Sequence, residues 1–137
     1  MRQSIFDSAI LIVDDSCVNI KLMSRILANE GFSFVSSTTQ PESVCALHLV
    51  KAYDLVLLDI QMPKMDGFEV MKALKSLQIG NAPPVLVVSA QPSHELASLN
   101  AGAADFISKP FKLPDLVGRV KSILNMAFSE RSFQSPL

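Results

Sequence analysis

Residues 54–67 read Asp54-Leu55-Val56-Leu57-Leu58-Asp59-Ile60-Gln61-Met62-Pro63-Lys64-Met65-Asp66-Gly67. Four apolar side chains, Leu55 to Leu58, end abruptly in one carboxylate, Asp59. An unbroken apolar run of this kind predicts a strand buried on both faces, as in a parallel sheet. The acid that closes it stands at the carboxyl end of the strand, the edge at which open α/β sheets hold their ligands. Pro63 and the Asp66-Gly67 pair then stop the strand and turn the chain. A strand can also end in an aspartate that does no chemistry, so the rest of the chain has to decide between the two.

Outward from this stretch the same motif recurs. Ala9 to Val13 is a second apolar run, and it too ends in acids, Asp14 and Asp15. Ser16 is placed as a helix N-cap, Val18, Leu22, Met23, Ile26 and Leu27 recur at helical spacing, and Gly31 closes the helix. Residues 32–36 predict a more polar strand, suited to a sheet edge. Pro41 opens a helix carrying Val44, Cys45, Leu47, His48 and Val50. After Gly67, the residues Phe68, Val70, Met71, Leu74 and Leu77 mark another helix, and Gly80-Asn81 begins a loop. Residues 85–88 form an apolar strand ending at Ser89. Pro92 and Ser93 start a helix through Leu96 and Leu99, and residues 104–107 a short strand ending at Ser108, Lys109 and Pro110. The last helix carries Leu113, Leu116, Val117, Val120, Ile123 and Leu124. Residues 1–8 read as an N-terminal extension, 9–128 as the domain, and 129–137 as a polar tail or the start of a linker.

Five alternating strands and helices, (βα)5, predict an α/β fold, a doubly wound parallel sheet with right-handed crossovers. Periodicity does not give the strand order; the flavodoxin-like order 2-1-3-4-5 is the common solution for five units.

The bulk composition narrows the functional classes. A chain of 137 residues, 49% hydrophobic and 18% charged, is one domain with a core of its own. A net charge of -1 argues against direct nucleic-acid contact or an anionic membrane surface. No apolar stretch nears the ~20 residues of a membrane span, and the N-terminus lacks a secretory core. Cys17 and Cys45 form no Cys-x-x-Cys and read as two buried thiols of a cytoplasmic protein. His48 and His94, alone on their helices, read as surface residues.

Four strands end in groups that can do chemistry: Asp14-Asp15, Asp59, Ser89 and Lys109. In a parallel sheet all carboxyl ends share one edge, so these residues should converge. Three clustered carboxylates repel one another, and a hard cation relieves the repulsion. Oxygen ligands without His or Cys favour Mg²⁺. A dication beside a lysine and a hydroxyl cradles a phosphoryl group, and a carboxylate can serve as the nucleophile that receives it.

The chain resembles the receiver domains of two-component response regulators over residues 9–128. The likeness rests on Ile-Val-Asp-Asp-Ser at the first strand and Leu-Leu-Asp-Ile-Gln-Met-Pro-Lys-Met-Asp-Gly at the third. Val-Ser-Ala at the fourth and Phe-Ile-Ser-Lys-Pro-Phe at the fifth complete it. The resemblance implies the flavodoxin-like strand order and a set of roles. Asp59 would be the phosphoacceptor. Asp15 and the backbone carbonyl of Gln61 would contact Mg²⁺ directly, and Asp14 mostly through water. Lys109 would pair with the phosphoryl group. Ser89 would be the switch hydroxyl and Phe106 the switch aromatic, and Pro110 would follow a cis peptide. Ser89 stands where Thr is also usual, and Phe106 where Tyr is frequent. The side chains of Gln61 and Gln91, each two residues beyond a strand-end group, are placed to set the phosphoryl lifetime. The phosphoryl donor would be a phosphohistidine on a histidine kinase or phosphotransfer protein. An output domain or downstream protein would read the state, and a homodimer through the last two helices and fifth strand is compatible with the sequence. The implied protein is a switch and not a turnover enzyme. The alternative is a Mg²⁺-dependent phosphatase or phosphotransferase with an aspartyl-phosphate intermediate, although Gln61 stands where a second acid would follow Asp59. A flavin carrier is a weaker reading, because the first loop is acidic where a phosphate would need donors.

Overall fold

The computed structural model describes residues 4–62, 65–77 and 82–134, with nothing stated of the side chains of residues 130–134. Five parallel strands, β1 (Ala9–Val13), β2 (Phe34–Thr38), β3 (Leu55–Asp59), β4 (Val85–Ser89) and β5 (Asp105–Ser108), lie in the order β2-β1-β3-β4-β5. They alternate with α1 (Cys17–Glu30), α2 (Val44–Val50), α3 (Gly67–Ser76), α4 (His94–Asn100) and α5 (Leu113–Gln134). Every residue of β1, β3 and β4 is buried, as unbroken apolar runs require. Their side chains alternate between two cores. Leu11, Val13, Val56, Leu58, Val87 and Phe106 face Val44 of α2 and Val70, Met71 and Leu74 of α3. Ile10, Ile12, Leu55, Leu57, Leu86, Val88 and Ile107 face α1 and α5. The side-chain period of two along a strand and the covering of both faces by helices make this division. At the opposite end of the sheet, the Asp54 carboxylate accepts from the Ala9 N–H at 2.7 Å and ties the starts of β1 and β3 together.

Several boundaries differ from the sequence reading. The edge strand begins at Phe34, two residues later than expected. Gly31 ends α1 at φ 108°, its N–H bonded to the Ala28 and Leu27 carbonyls, and the Phe32 N–H reaches back to Leu27 O at 3.1 Å. The backbone of Phe32 is therefore spent on the helix stop, and its ring enters the second core. Residues 5 and 6 do not form a free extension. Ser4 caps a 3₁₀ turn over Ile5–Asp7, and the Phe6 ring packs 4.9 Å from that of Phe32. At the other end α5 runs through Gln134, past the expected stop at residue 128. Residues 129–134 contain neither Gly nor Pro, so nothing halts a helix already nucleated. On the helices, Val18, Leu22 and Val50 point outward, and Ile20 lies on the buried side of α1 instead. The cysteines are free, but Cys17 is exposed and Cys45 is half-buried, with burial pushing its thiol pKa up. The Pro63 stop and the Gly80-Asn81 loop lie outside the described residues.

Candidate functional site

The carboxyl edge of the sheet gathers Asp14, Asp15 and Asp59. Each offers an oxygen within 4.8 Å of the others, with Asp14 and Asp59 buried and Asp15 exposed. Asp59 is the last residue of β3, and Asp14-Asp15 follow β1 directly, so neighbouring strands bring them together. Lys109, just past β5, reaches in from the far side of β4. Its Nζ lies 3.4 Å from Asp14 Oδ2 and 3.7 Å from Asp59 Oδ2. Its backbone N–H is anchored to the Ser89 carbonyl at 2.8 Å, and the Lys109–Pro110 peptide is cis.

Each acid is held differently. Asp14 is fully buried. Its Oδ1 accepts from the Ser16 N–H at 2.9 Å, while Oδ2 faces Lys109 and the Asn19 amide, both at 3.4 Å. Ser16, the N-cap of α1, accepts from the Asn19 N–H, so helix and carboxylate are locked together. Asp59 Oδ1 accepts from the Gln61 N–H at 3.1 Å. Burial pushes the Asp59 carboxyl pKa up, Lys109 pulls it down, and Asp14 pushes it up again. The Gln61 N–H lowers it and Asp15 adds a smaller upward push. The net rise is the effect of burial, which outweighs the downward pull of Lys109 and the Gln61 N–H. The donor set is entirely oxygen, which suits a hard dication better than Zn²⁺.

The raised Asp59 pKa makes a stability prediction. A folded-state pKa above the unfolded value contributes stability that is complete below the unfolded pKa. That contribution is lost as pH rises through the folded value. At neutral pH and in chelator, Asp59→Asn should therefore melt higher than the wild type. The gap should close toward about pH 4. Calorimetry across that range checks it, and equal melting points at pH 7 would contradict it.

Ser89 is the wholly buried last residue of β4, in register with Ser108. Its hydroxyl accepts from the Gln91 N–H at 3.1 Å and lies 3.0 Å from His94 Nδ1. Phe106 is buried in the first core. Its carbonyl accepts from Arg119 at 2.8 Å, and Arg119 also pairs with Asp105 and Asp115. The side chains of Gln61 and Gln91 are exposed at the mouth. Beside Lys109 a cavity of about 390 Å³ is lined by Asn19, Leu22, Met23, Ala90, Pro110 and Phe111.

Three partnerships lay beyond the sequence reading, the first being that of His48, which is half-buried and accepts at Nδ1 from the Tyr53 N–H at 3.1 Å. His94 is not a surface histidine; it is half-buried against Ser89 and Phe68. The only signal was its position five residues beyond Ser89, at a predicted helix start. Arg119, which carries no signal in the sequence, clamps α5 to β5.

The model of the response regulator receiver domain matches residues 10–121. Hybrid signal transduction histidine kinase B of Dictyostelium discoideum is 36% identical over 132 residues, 85% of this chain and 7% of that protein. Response regulator MprA of Mycobacterium sp. (strain KMS) is 35% identical over 131 residues, 93% of this chain and 55% of that protein. The chain thus spans about half the length, or far less, of these curated relatives. The crystal structure of a CheY-like response regulator receiver domain protein from Methanospirillum hungatei JF-1 superposes with a TM-score of 0.80. It is 29% identical and covers 90% of this chain and 98% of that one.

Proposed function

Because this chain belongs to the response regulator receiver domain family of two-component signalling, we propose that Asp59 is its phosphoacceptor. The observation that carries this reading is Lys109 set between Asp14 and Asp59, beside Asp15, on one sheet edge. An Asp59 carboxylate oxygen attacks the phosphorus of a phosphohistidine. The new P–O bond forms as the P–N bond breaks, and the imidazole nitrogen keeps the electron pair. Lys109 orients and neutralises the incoming phosphoryl oxygens, and the Gln61 N–H holds Oδ1 in place. Asp14, Asp15, Asp59 and the backbone carbonyl of Gln61 would hold Mg²⁺. Asp14, whose oxygens already serve Ser16, Asn19 and Lys109, suits a water-mediated share. Bound there, Mg²⁺ supplies charge neutralisation for the transferring phosphoryl group.

The phosphorylated acid carries roughly -1.5 to -2 of charge and three acceptor oxygens. Ser89 is then drawn to donate a hydrogen bond, and Phe106 moves into the space it leaves. The equilibrium shifts at the face built from α4, β5 and α5, where an output domain, a downstream protein or a second copy reads it. Donors are a histidine kinase or phosphotransfer protein, and the cavity beside Lys109 gives such a partner a foothold. The setting is cytoplasmic, in keeping with free thiols; among the described residues no helix is long and apolar enough to cross a membrane.

The test is direct. With a small phosphodonor and Mg²⁺, intact-mass measurement should show one added phosphoryl group, and Asp59→Asn should show none. Label surviving that substitution would place the acceptor elsewhere. Gln61 and Gln91 project at the mouth, where they screen the hydrolytic water. Replacing both with alanine should change the dephosphorylation rate by about tenfold, or about 1.4 kcal/mol of barrier. An unchanged lifetime would remove them from that role.

A further inference from the structure

His94, the first residue of α4, places its imidazole Nδ1 3.0 Å from Ser89 Oγ. Ser89 has no exposed surface, and its oxygen already accepts from the Gln91 N–H at 3.1 Å. A hydroxyl has a single proton to give. Nδ1 is the one acceptor among the described contacts of this buried hydroxyl, so we assign the Ser89 proton to the bond with Nδ1 and the ring proton to Nε2. The ring has a second neighbour. It stands edge-on to Phe68 of α3, centroids 6.2 Å apart at 85°. Its backbone carbonyl accepts from Ser98, the buried residue of the same helix. One imidazole thus joins the end of β4 to α3 and to the start of α4.

In the functional reading above, the Ser89 proton is needed by the phosphoryl group on Asp59. It cannot serve that group and Nδ1 at once. We propose that His94 is a positioning residue that holds the Ser89 hydroxyl in the unphosphorylated arrangement and passes its release to α4. The inference rests on the switch role assigned to Ser89. Phosphorylation takes the donor away from His94, which frees the first residue of the helix that carries Leu96 and Leu99, 70% and 42% exposed. The hydrogen bond that biases Ser89 and the helix whose surface is read are therefore connected by a single side chain. A restraint present in only one of two states sets their ratio by its own free energy.

Two substitutions separate the ring from its acceptor. His94→Phe keeps an aromatic ring against Phe68 and removes Nδ1. His94→Asn restores an acceptor close to the position of Nδ1. Phosphorylation of the full chain by a small phosphodonor with Mg²⁺ should be about fivefold faster in His94→Phe, the factor one net neutral hydrogen bond carries. His94→Asn should return it toward the wild-type rate. Independently, ring ¹⁵N spectra at about pH 8, above the ordinary imidazole range, should show Nδ1 as an acceptor. That signal should move on phosphorylation, and should move the same way in unphosphorylated Ser89→Ala. An unchanged rate in His94→Phe would overturn the proposal, as would an Nδ1 signal indifferent to both Ser89→Ala and phosphorylation. If His94→Phe does not fold, the wild-type and Ser89→Ala spectra decide alone. Label confined to Asp59 with these signatures missing would sink only the His94 restraint. A wild type that takes no label would sink the switch reading, and this inference with it.

Discussion

Lys109→Met is expected to slow phosphoryl transfer to Asp59 by about a hundredfold, the usual loss when a preorganised charge-stabilising donor is removed. Lys109 is the cation placed against both buried carboxylates, at 3.4 Å from Asp14 and 3.7 Å from Asp59. Two effects act in the same direction. The transferring phosphoryl loses its fixed positive partner. Asp59 also loses the strongest influence pulling its pKa down, while burial and Asp14 still push it up. Only the ionised carboxylate is a nucleophile, so the pH profile of transfer should shift toward alkaline pH in the variant. A slower rate with the wild-type pH midpoint would show that Lys109 acts on the phosphoryl group alone. A wild-type rate would remove it from the site. Methionine keeps most of the aliphatic stem, so packing around Pro110 and Phe111 is disturbed little.

Gly67→Ala should be strongly destabilising. Gly67 opens α3, and its N–H is bonded to the Ile60 carbonyl at 2.9 Å. A Cβ built there would sit 2.8 Å from Ile60 Cα and 3.0 Å from the Asp59 carbonyl oxygen. Both obstacles are backbone, and the Asp59 carbonyl belongs to the proposed acceptor itself. Either α3 backs away from β3 or the end of β3 bends. Overpacking of this kind costs about 2–3 kcal/mol, a large share of the roughly 5–15 kcal/mol that holds a domain folded. Phosphorylation should fall together with stability. Gly118→Ala is the control. Nothing lies within 4 Å of its Cβ, and it sits inside α5, so alanine should stabilise by about 0.5–1 kcal/mol. Denaturant titration of the two variants should give changes of opposite sign; a Gly67→Ala protein as stable as the wild type would show that α3 docks with slack.

The contrast between these glycines marks what the sequence makes legible. Strands buried on both faces announce themselves, because two apolar faces leave no room for polar side chains. Knowing that all strands run parallel was enough to bring Asp14, Asp15, Asp59, Ser89 and Lys109 to one edge. Contacts made across the chain without a periodic signature were not legible. His94 meets Ser89 because of the geometry of a short loop and the ring of Phe68, and neither follows from spacing. Phe32 looked like a strand residue by propensity, yet the left-handed Gly31 committed its backbone to the helix stop. Phe6 looked like an extension because its partner Phe32 lies 26 positions on and carries no pattern pointing back to it. Helix ends were misjudged for a related reason. Residues 129–134 are polar but for Phe133, and polarity says little about where a helix stops when no Gly or Pro intervenes.

The separation between Lys109 and Asp14 has a further consequence. They are 95 residues apart in sequence, and the acids gather on β1 and β3 before β5 is reached. During synthesis from the N-terminus, the acidic half of the pocket emerges from the ribosome well ahead of its counter-charge. Until residue 109 is in place, the acids of β1 and β3 lack the lysine that faces them in the folded chain. On the proposed reading, the chain can accept a phosphoryl group only after residue 109 has been added and docked. On the same reading, the assembled rim ties phosphorylation to the completion of folding.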